Sequence, residues 1–214
     1  MAQSSVFQRI LRRLLAAPGR LLATPGTWVP EASAVWPELQ LRNREDIARL
    51  IPRAGLGIEL GVAWGVFSDA LLEHSELTHL YSVDMYAGDR GHDDDQYRAA
   101  SERLARHGSR SSLLRMRFEE ALSLFPDNHF DFIYIDGYAH TGQNDGRTLE
   151  DWWPKLKTGG LFSGDDFSPH WPKNVAVVNR FAKSRSLFLV KLTPQTMAKG
   201  RGAHPYPSWL IRKE

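Results

Sequence analysis

Short apolar runs alternate along the chain with stretches in which apolar residues recur every three or four positions, the pattern of strands separated by amphipathic helices. Leu56, Ile58 and Leu60 form the first such run, which passes through Gly61 and Gly65 into Phe67, Ala70, Leu71 and His74 at helical spacing. Leu77 to Val83 predicts a second strand ending in Asp84, and Ser112 to Met116 a third. The fourth, from Phe130, is rich in β-branched and aromatic residues, as expected of a central parallel strand, and it ends at Asp136 and Gly137. Leu161 to Ser163 delivers Gly164, Asp165 and Asp166; Leu187 to Leu192 and Trp209 to Arg212 bring the count to seven. Helices are predicted at 43–50, 96–107, 117–125, 148–156 and 174–181, the first with Asn43 as cap and Pro52 as its stop. This alternation predicts an α/β doubly wound sheet, whose ligands bind beyond the carboxyl ends of the strands.

The first 30 residues stand apart. Val6, Phe7, Ile10, Leu11, Leu14 and Leu15 fall on one side of a helical projection and Arg9, Arg12 and Arg13 on the other, with Pro18-Gly19 as the stop and a Pro/Gly-containing linker after it. Residues 1–30 are therefore a basic amphipathic helix and linker, and 31–214 a single domain. Three readings of the arm compete: a helix packed on the domain, which we favour, a peripheral membrane or partner contact through residues 4–17, and an Arg-rich transit peptide. Arginines break the apolar stretch into pieces too short for a secretory signal, and no run approaches transmembrane length.

Composition narrows the function classes. The 42% hydrophobic content is ordinary for a globular chain, and the absence of cysteine excludes disulfides, thiolate metal sites and cysteine nucleophiles, which fits a cytoplasmic location. A net charge of +2 does not argue for a nucleic-acid partner, and removing the four arginines of the arm leaves the rest slightly acidic.

Gly57, Gly61 and Gly65 are spaced as G-x-x-x-G-x-x-x-G, unlike the G-x-G-x-x-G of dinucleotide folds, which disfavours a nicotinamide oxidoreductase. Glu59, on the strand itself, would repel a phosphate and suit a cationic ligand. Taken alone, this run could also be an ordinary strand-to-helix turn. Glu59, Gly61 and Gly65 nevertheless match the acid-x-Gly-xxx-Gly pattern of the first motif of class I S-adenosylmethionine-dependent methyltransferases, which the chain resembles. The resemblance implies a Rossmann-like seven-stranded sheet of order 3-2-1-4-5-7-6 with helices on both faces, and S-adenosyl-L-methionine as cofactor. It also implies that Asp84, 25 positions after Glu59, takes the ribose hydroxyls, and that Phe118 and Glu119 meet the adenine. Tyr86 is placed to flank adenosine or acceptor.

Asp136, Asp165 and Asp166 arrive at the ends of neighbouring strands, where like charges raise one another's pKa unless a cation sits between them; oxygen ligands of this kind suit Mg²⁺ or Ca²⁺. The stretch from Asp136-Gly137 through Lys157-Thr158-Gly159-Gly160 to Asp165-Asp166 resembles the metal-dependent small-molecule O-methyltransferases of macrocin type, and more distantly catechol O-methyltransferase. That resemblance implies that Asp136, Asp165 and Asp166 bind a divalent metal, with Asp136 also bordering the cofactor. Ala139 stands where catechol-type enzymes keep a lysine base, so the neighbouring His140 is the candidate base and Asp136 the alternative. Asp93, Asp94 and Asp95 are read as a helix cap, with metal binding as the sharper alternative, while Trp152, Trp153 and Trp171 are read as acceptor-pocket walls or core. The expected function is methyl transfer to a hydroxyl of a small molecule or sugar, assisted by Mg²⁺. The alternatives are a metal-independent enzyme using His140 and a non-catalytic S-adenosylmethionine-binding protein; a homo-oligomer stays open.

Overall fold

Seven strands hydrogen-bond into one sheet in the order β3-β2-β1-β4-β5-β7-β6 in a computed structural model that describes residues 29–88, 92–195 and 205–214. The amphipathic arm expected over residues 4–17 lies outside the described residues. β1 (Leu56–Leu60), β2 (His79–Asp84), β3 (Ser111–Arg115), β4 (Phe130–Ile135) and β5 (Leu156–Gly164) run parallel, while β7 (Ser208–Arg212) pairs antiparallel with β5 and with β6 (Leu189–Leu192). The strand order and the layering on both faces are those expected from the resemblance.

Alternation along each strand divides the core between the two faces. Ile133 and Ile135 of β4 point to one side, with α3 (Phe118–Leu122), α4 (Arg147–Trp152) and α5 (Pro172–Ser184). Phe132 and Tyr134 point to the other, with α1 (Val66–His74), Leu104 of α2 (Asp94–Ala105) and the 3-10 helix Arg44–Leu50. That 3-10 helix replaces the helix expected at 43–50; Asp46 in its first turn accepts from the backbone N–H groups of Arg42 (2.8 Å) and Asn43 (3.2 Å). Ahead of it, Glu31 is tied to β6 by an ion pair with Lys191 at 2.8 Å. Among the described residues no helix is long and apolar enough to cross a membrane.

Several boundaries differ from the expected ones by a few residues, two of them for clear local reasons. α4 stops at Trp152, because Pro154 cannot continue the helical hydrogen bonds, and a 3-10 turn Trp153–Lys155 follows. β5 begins at Leu156, five residues early, and loops out between Leu156 and Leu161, which pair with Phe130 and Phe132.

The register sets the site. Leu60 pairs with both Val83 and Ile135, and Ile135 with Gly164, so Gly61, Asp84, Asp136 and Asp165 leave the sheet at one level. The carboxyl edge of four adjacent strands therefore carries the candidate chemistry.

Candidate active site

A cleft opens over this edge. Asp84, Met116, Phe118 and Glu119 border one half, and Glu59, Arg44, Trp64, Asp166 and Trp171 the other; Gly61, Asp136, Tyr138, His140 and His92 border both. Most of the predicted site residues thus line two adjoining cavities that share a wall, while Asp165 lines neither. Gly65 packs instead against Ala100 of α2, with φ 70° at the start of α1. Gly61 makes the closest approach: its φ is +100°, and a Cβ there would lie 2.0 Å from the Asp136 carbonyl oxygen. The contact follows from the Asp136 N–H donating to Leu60 O at 2.7 Å, which lays the end of β4 against the turn after β1.

Asp84 is buried at the end of β2. Its Oδ2 accepts from the Val62 and Ala63 N–H groups at 2.9 and 3.0 Å and its Oδ1 from Tyr86 N–H at 3.2 Å, while His92 Nδ1 lies 3.4 Å from Oδ2. Burial favours the neutral acid, but the bonds from His92, Ala63 and Val62 outweigh it and hold the pKa below the usual carboxyl value. An ionised acceptor of two hydrogen bonds at a strand end is what vicinal ribose hydroxyls require. Tyr86 itself is almost fully buried and donates its hydroxyl to Ala63 O at 2.9 Å, so it braces the glycine turn. Glu59 faces the other half. Burial raises its pKa from 4.5 to about 8 against the opposing effects of the Ser68 hydroxyl, which donates to it, and of Arg44.

The expected metal site is built differently. Arg44 Nη1 donates to Asp136 Oδ2 at 2.9 Å and to Asp165 Oδ2 at 2.7 Å, and its guanidinium lies over the Phe67 ring, 4.7 Å from the centroid. Asp165 is 1% exposed, and its Oδ1 accepts from Ser208 Oγ at 3.2 Å and Asp166 N–H at 3.1 Å. Among the described residues no group of three or more His, Asp or Glu side chains is close enough to hold a metal ion. The expectation that Asp136, Asp165 and Asp166 together bind Mg²⁺ gains no support from this arrangement: an arginine donates to two of the three acids and stands between them. The Asp93 to Asp95 run caps α2, with Asp93 Oδ1 accepting from the Asp95 and Gln96 N–H groups. Asp94 pairs with Arg115 at 2.6 Å.

After β4 the chain turns sharply. Tyr138 adopts φ 55°, His140 lies on the 3-10 turn Ala139–Thr141, and residues 142–146 all have positive φ, a left-handed turn that costs on the order of 1 kcal/mol per non-glycine residue. Asn174 of α5 holds it. Its Nδ2 donates to Asp165 O and Asp166 O, both at 3.0 Å, and its Oδ1 accepts from Gln143 Nε2 at 3.1 Å. Phe118 packs edge-on to Tyr138 at 5.2 Å. Of the three tryptophans read as acceptor walls or core, only Trp171 borders the cleft. Trp152 is 1% exposed and belongs to the core, and the half-buried Trp153 covers that core on Phe162 and Phe181. Trp64, His92 and Arg44 join the site without having been expected there. Trp64 and His92 flank the glycine turn and the α2 cap in sequence, a signal that was available; Arg44 carried none.

No curated protein matches the chain in sequence. Among solved structures it is similar to an O-methyltransferase from Bacillus cereus in complex with SAH (15% identity, 98% of this chain and 91% of that one, TM-score 0.56). It is also similar to an rRNA methylase from Streptococcus thermophilus (14%, 78% and 92%, 0.55). A third is a precorrin-6y C5,15-methyltransferase from Geobacter metallireducens (12%, 82% and 91%, 0.57). At such identities these likenesses speak for the fold alone. Residues 55–167, more than half of the chain, match the family described as "Methyltransferase domain". That span runs from β1 to the end of β5 and contains the glycine turn, Asp84 and the Asp136 loop, so the chain belongs to the S-adenosylmethionine-dependent methyltransferases, with the class I fold.

Proposed function

We propose that the chain transfers a methyl group from S-adenosylmethionine to a hydroxyl of a small molecule or sugar, with His140 taking the hydroxyl proton. The observation that carries this reading is the position of His140, at the junction of the Asp84 half and the Trp171 half of one cleft. S-adenosylmethionine supplies an electrophilic methyl on a sulfonium. In the reading, Asp84 holds the ribose, Phe118 and Glu119 border the adenine, and Glu59 and Gly61 border the methionine end. The acceptor oxygen approaches in line from the Trp171 side, the O–CH₃ bond forms as the S–CH₃ bond breaks, and the hydroxyl proton passes to the imidazole. Asp136 is the weaker candidate base, because its Oδ2 is committed to Arg44. The carboxylates around the cleft, Asp84, Glu119, Asp136 and Asp166, favour a neutral polyhydroxyl acceptor over a polyanion such as nucleic acid.

Methyl-labelled S-adenosylmethionine and a panel of sugars and hydroxylated aromatics test the proposal. His140→Ala should lower kcat on an accepted hydroxyl by about 10²–10⁴-fold while leaving S-adenosylhomocysteine affinity unchanged. A variant with wild-type kcat removes His140 from the proton transfer.

A further inference from the structure

We infer that Arg44 is a built-in cation: its guanidinium occupies the place between Asp136 and Asp165 where the metal-dependent O-methyltransferases that this chain resembles carry a divalent ion, so the cleft operates without one. Three observations meet here. Arg44 Nη1 is shared between the two carboxylates at 2.9 and 2.7 Å, within ordinary charge-assisted hydrogen-bond length. The side chain is only 10% exposed, backed by Phe67 and anchored on the capped 3-10 helix Arg44–Leu50, so it is a fixed part of the floor. Asp165 is turned inward, with Ser208 and the Asp166 N–H on its second oxygen.

A divalent ion bound to the same two Oδ2 atoms would need roughly 2.0–2.6 Å to each. The guanidinium would have to leave first, and its charge would go with it. Arg44 stays protonated in place. Burial, the largest influence on it, disfavours the cation, yet Asp165 and Asp136 outweigh this and lift its pKa well above the usual value. Unlike a metal, a guanidinium does not coordinate a hydroxyl and lower its pKa as a Lewis acid. Arg44 is therefore a positioning residue, fixing Asp136 at the cleft wall and leaving deprotonation to a side chain. The inference is read by ion binding and not by turnover, so it stands or falls separately from the choice of acceptor.

The test is calorimetric titration and thermal unfolding of the full chain with Mg²⁺, Mn²⁺ or Ca²⁺, and with chelator, in the presence of S-adenosylhomocysteine. Wild type should show no saturable ion binding and an unchanged Tm. Arg44→Met leaves the acids facing one another, so in chelator its Tm should fall on the order of 10 °C and millimolar divalent ion should recover part of that loss. Arg44→Lys, which keeps the charge, should remain indifferent to ions. One ion bound per wild-type chain and lost in Asp165→Asn would overturn the inference. A folded Arg44→Met that ignores divalent ions would overturn it too. If Arg44→Met does not fold, the wild-type and Arg44→Lys titrations decide.

Discussion

Glu59 places a carboxyl 1% exposed on the central strand, within the field of Asp84, Asp136 and Arg44. Burial dominates and raises its pKa from 4.5 to about 8. The folded state then holds a proton that the unfolded chain has released, so this group's contribution to stability is complete below the ordinary carboxyl pKa and is lost as pH rises toward 8. Asp84 works the other way: its pKa is lowered, so its contribution is present above the ordinary carboxyl range and lost in acid, and the two windows do not overlap. Between about pH 5 and 8 the uptake of a proton by folded Glu59 should make stability fall by up to about 1.4 kcal/mol for each unit of rising pH. Glu59→Gln, which imitates the protonated acid, should flatten that slope in urea unfolding measured across the window. An unchanged slope would mean that Glu59 is ionised in the fold.

The turn between β1 and α1 is where an element and the site become one object. Gly61 supplies a left-handed φ and the close approach to the end of β4, and both conditions exclude a side chain. Gly61→Ala should therefore destabilise the fold on the order of 3 kcal/mol and weaken S-adenosylhomocysteine binding as the turn is pushed off Asp136. Gly159, at φ +83° with open space for 4 Å around the point a methyl group would take, gives the comparison: Gly159→Ala should cost about 1 kcal/mol and leave ligand affinity intact. Thermal unfolding and ligand titration of both variants separate backbone strain from steric exclusion. Equal losses would show that the approach to Asp136 is not what restricts Gly61. The left-handed turn at 142–146 poses the same question for the other rim, where Asn174 supplies the bonds that hold it.

At the scale of the whole molecule, every residue assigned to the cleft lies between Arg44 and Trp171, while Val29 packs on the core and Pro30 O accepts from Lys191 N–H at 2.8 Å. A chain beginning at Thr27 should therefore fold and bind S-adenosylhomocysteine within about threefold of the full protein, since no adenosyl contact is assigned ahead of Arg44. A folded but non-binding truncation would place the arm in the site. The sequence by itself determined most of the elements, because their causes are local: apolar period decided strand or helix, glycine marked the turn that needs positive φ, and Asp93 capped the helix that it precedes. It also placed Asp84, Asp136 and Asp165 at strand ends, since a strand stops where its apolar run does. What stands between those acids was not local. Arg44 is 92 residues from Asp136 and 121 from Asp165, in a short polar segment whose only legible signal was a cap. Repulsion among the acids required a cation, and that much was readable; whether the cation came from solution or from the chain was decided only when the sheet's register and the packing of the 3-10 helix brought the three side chains together.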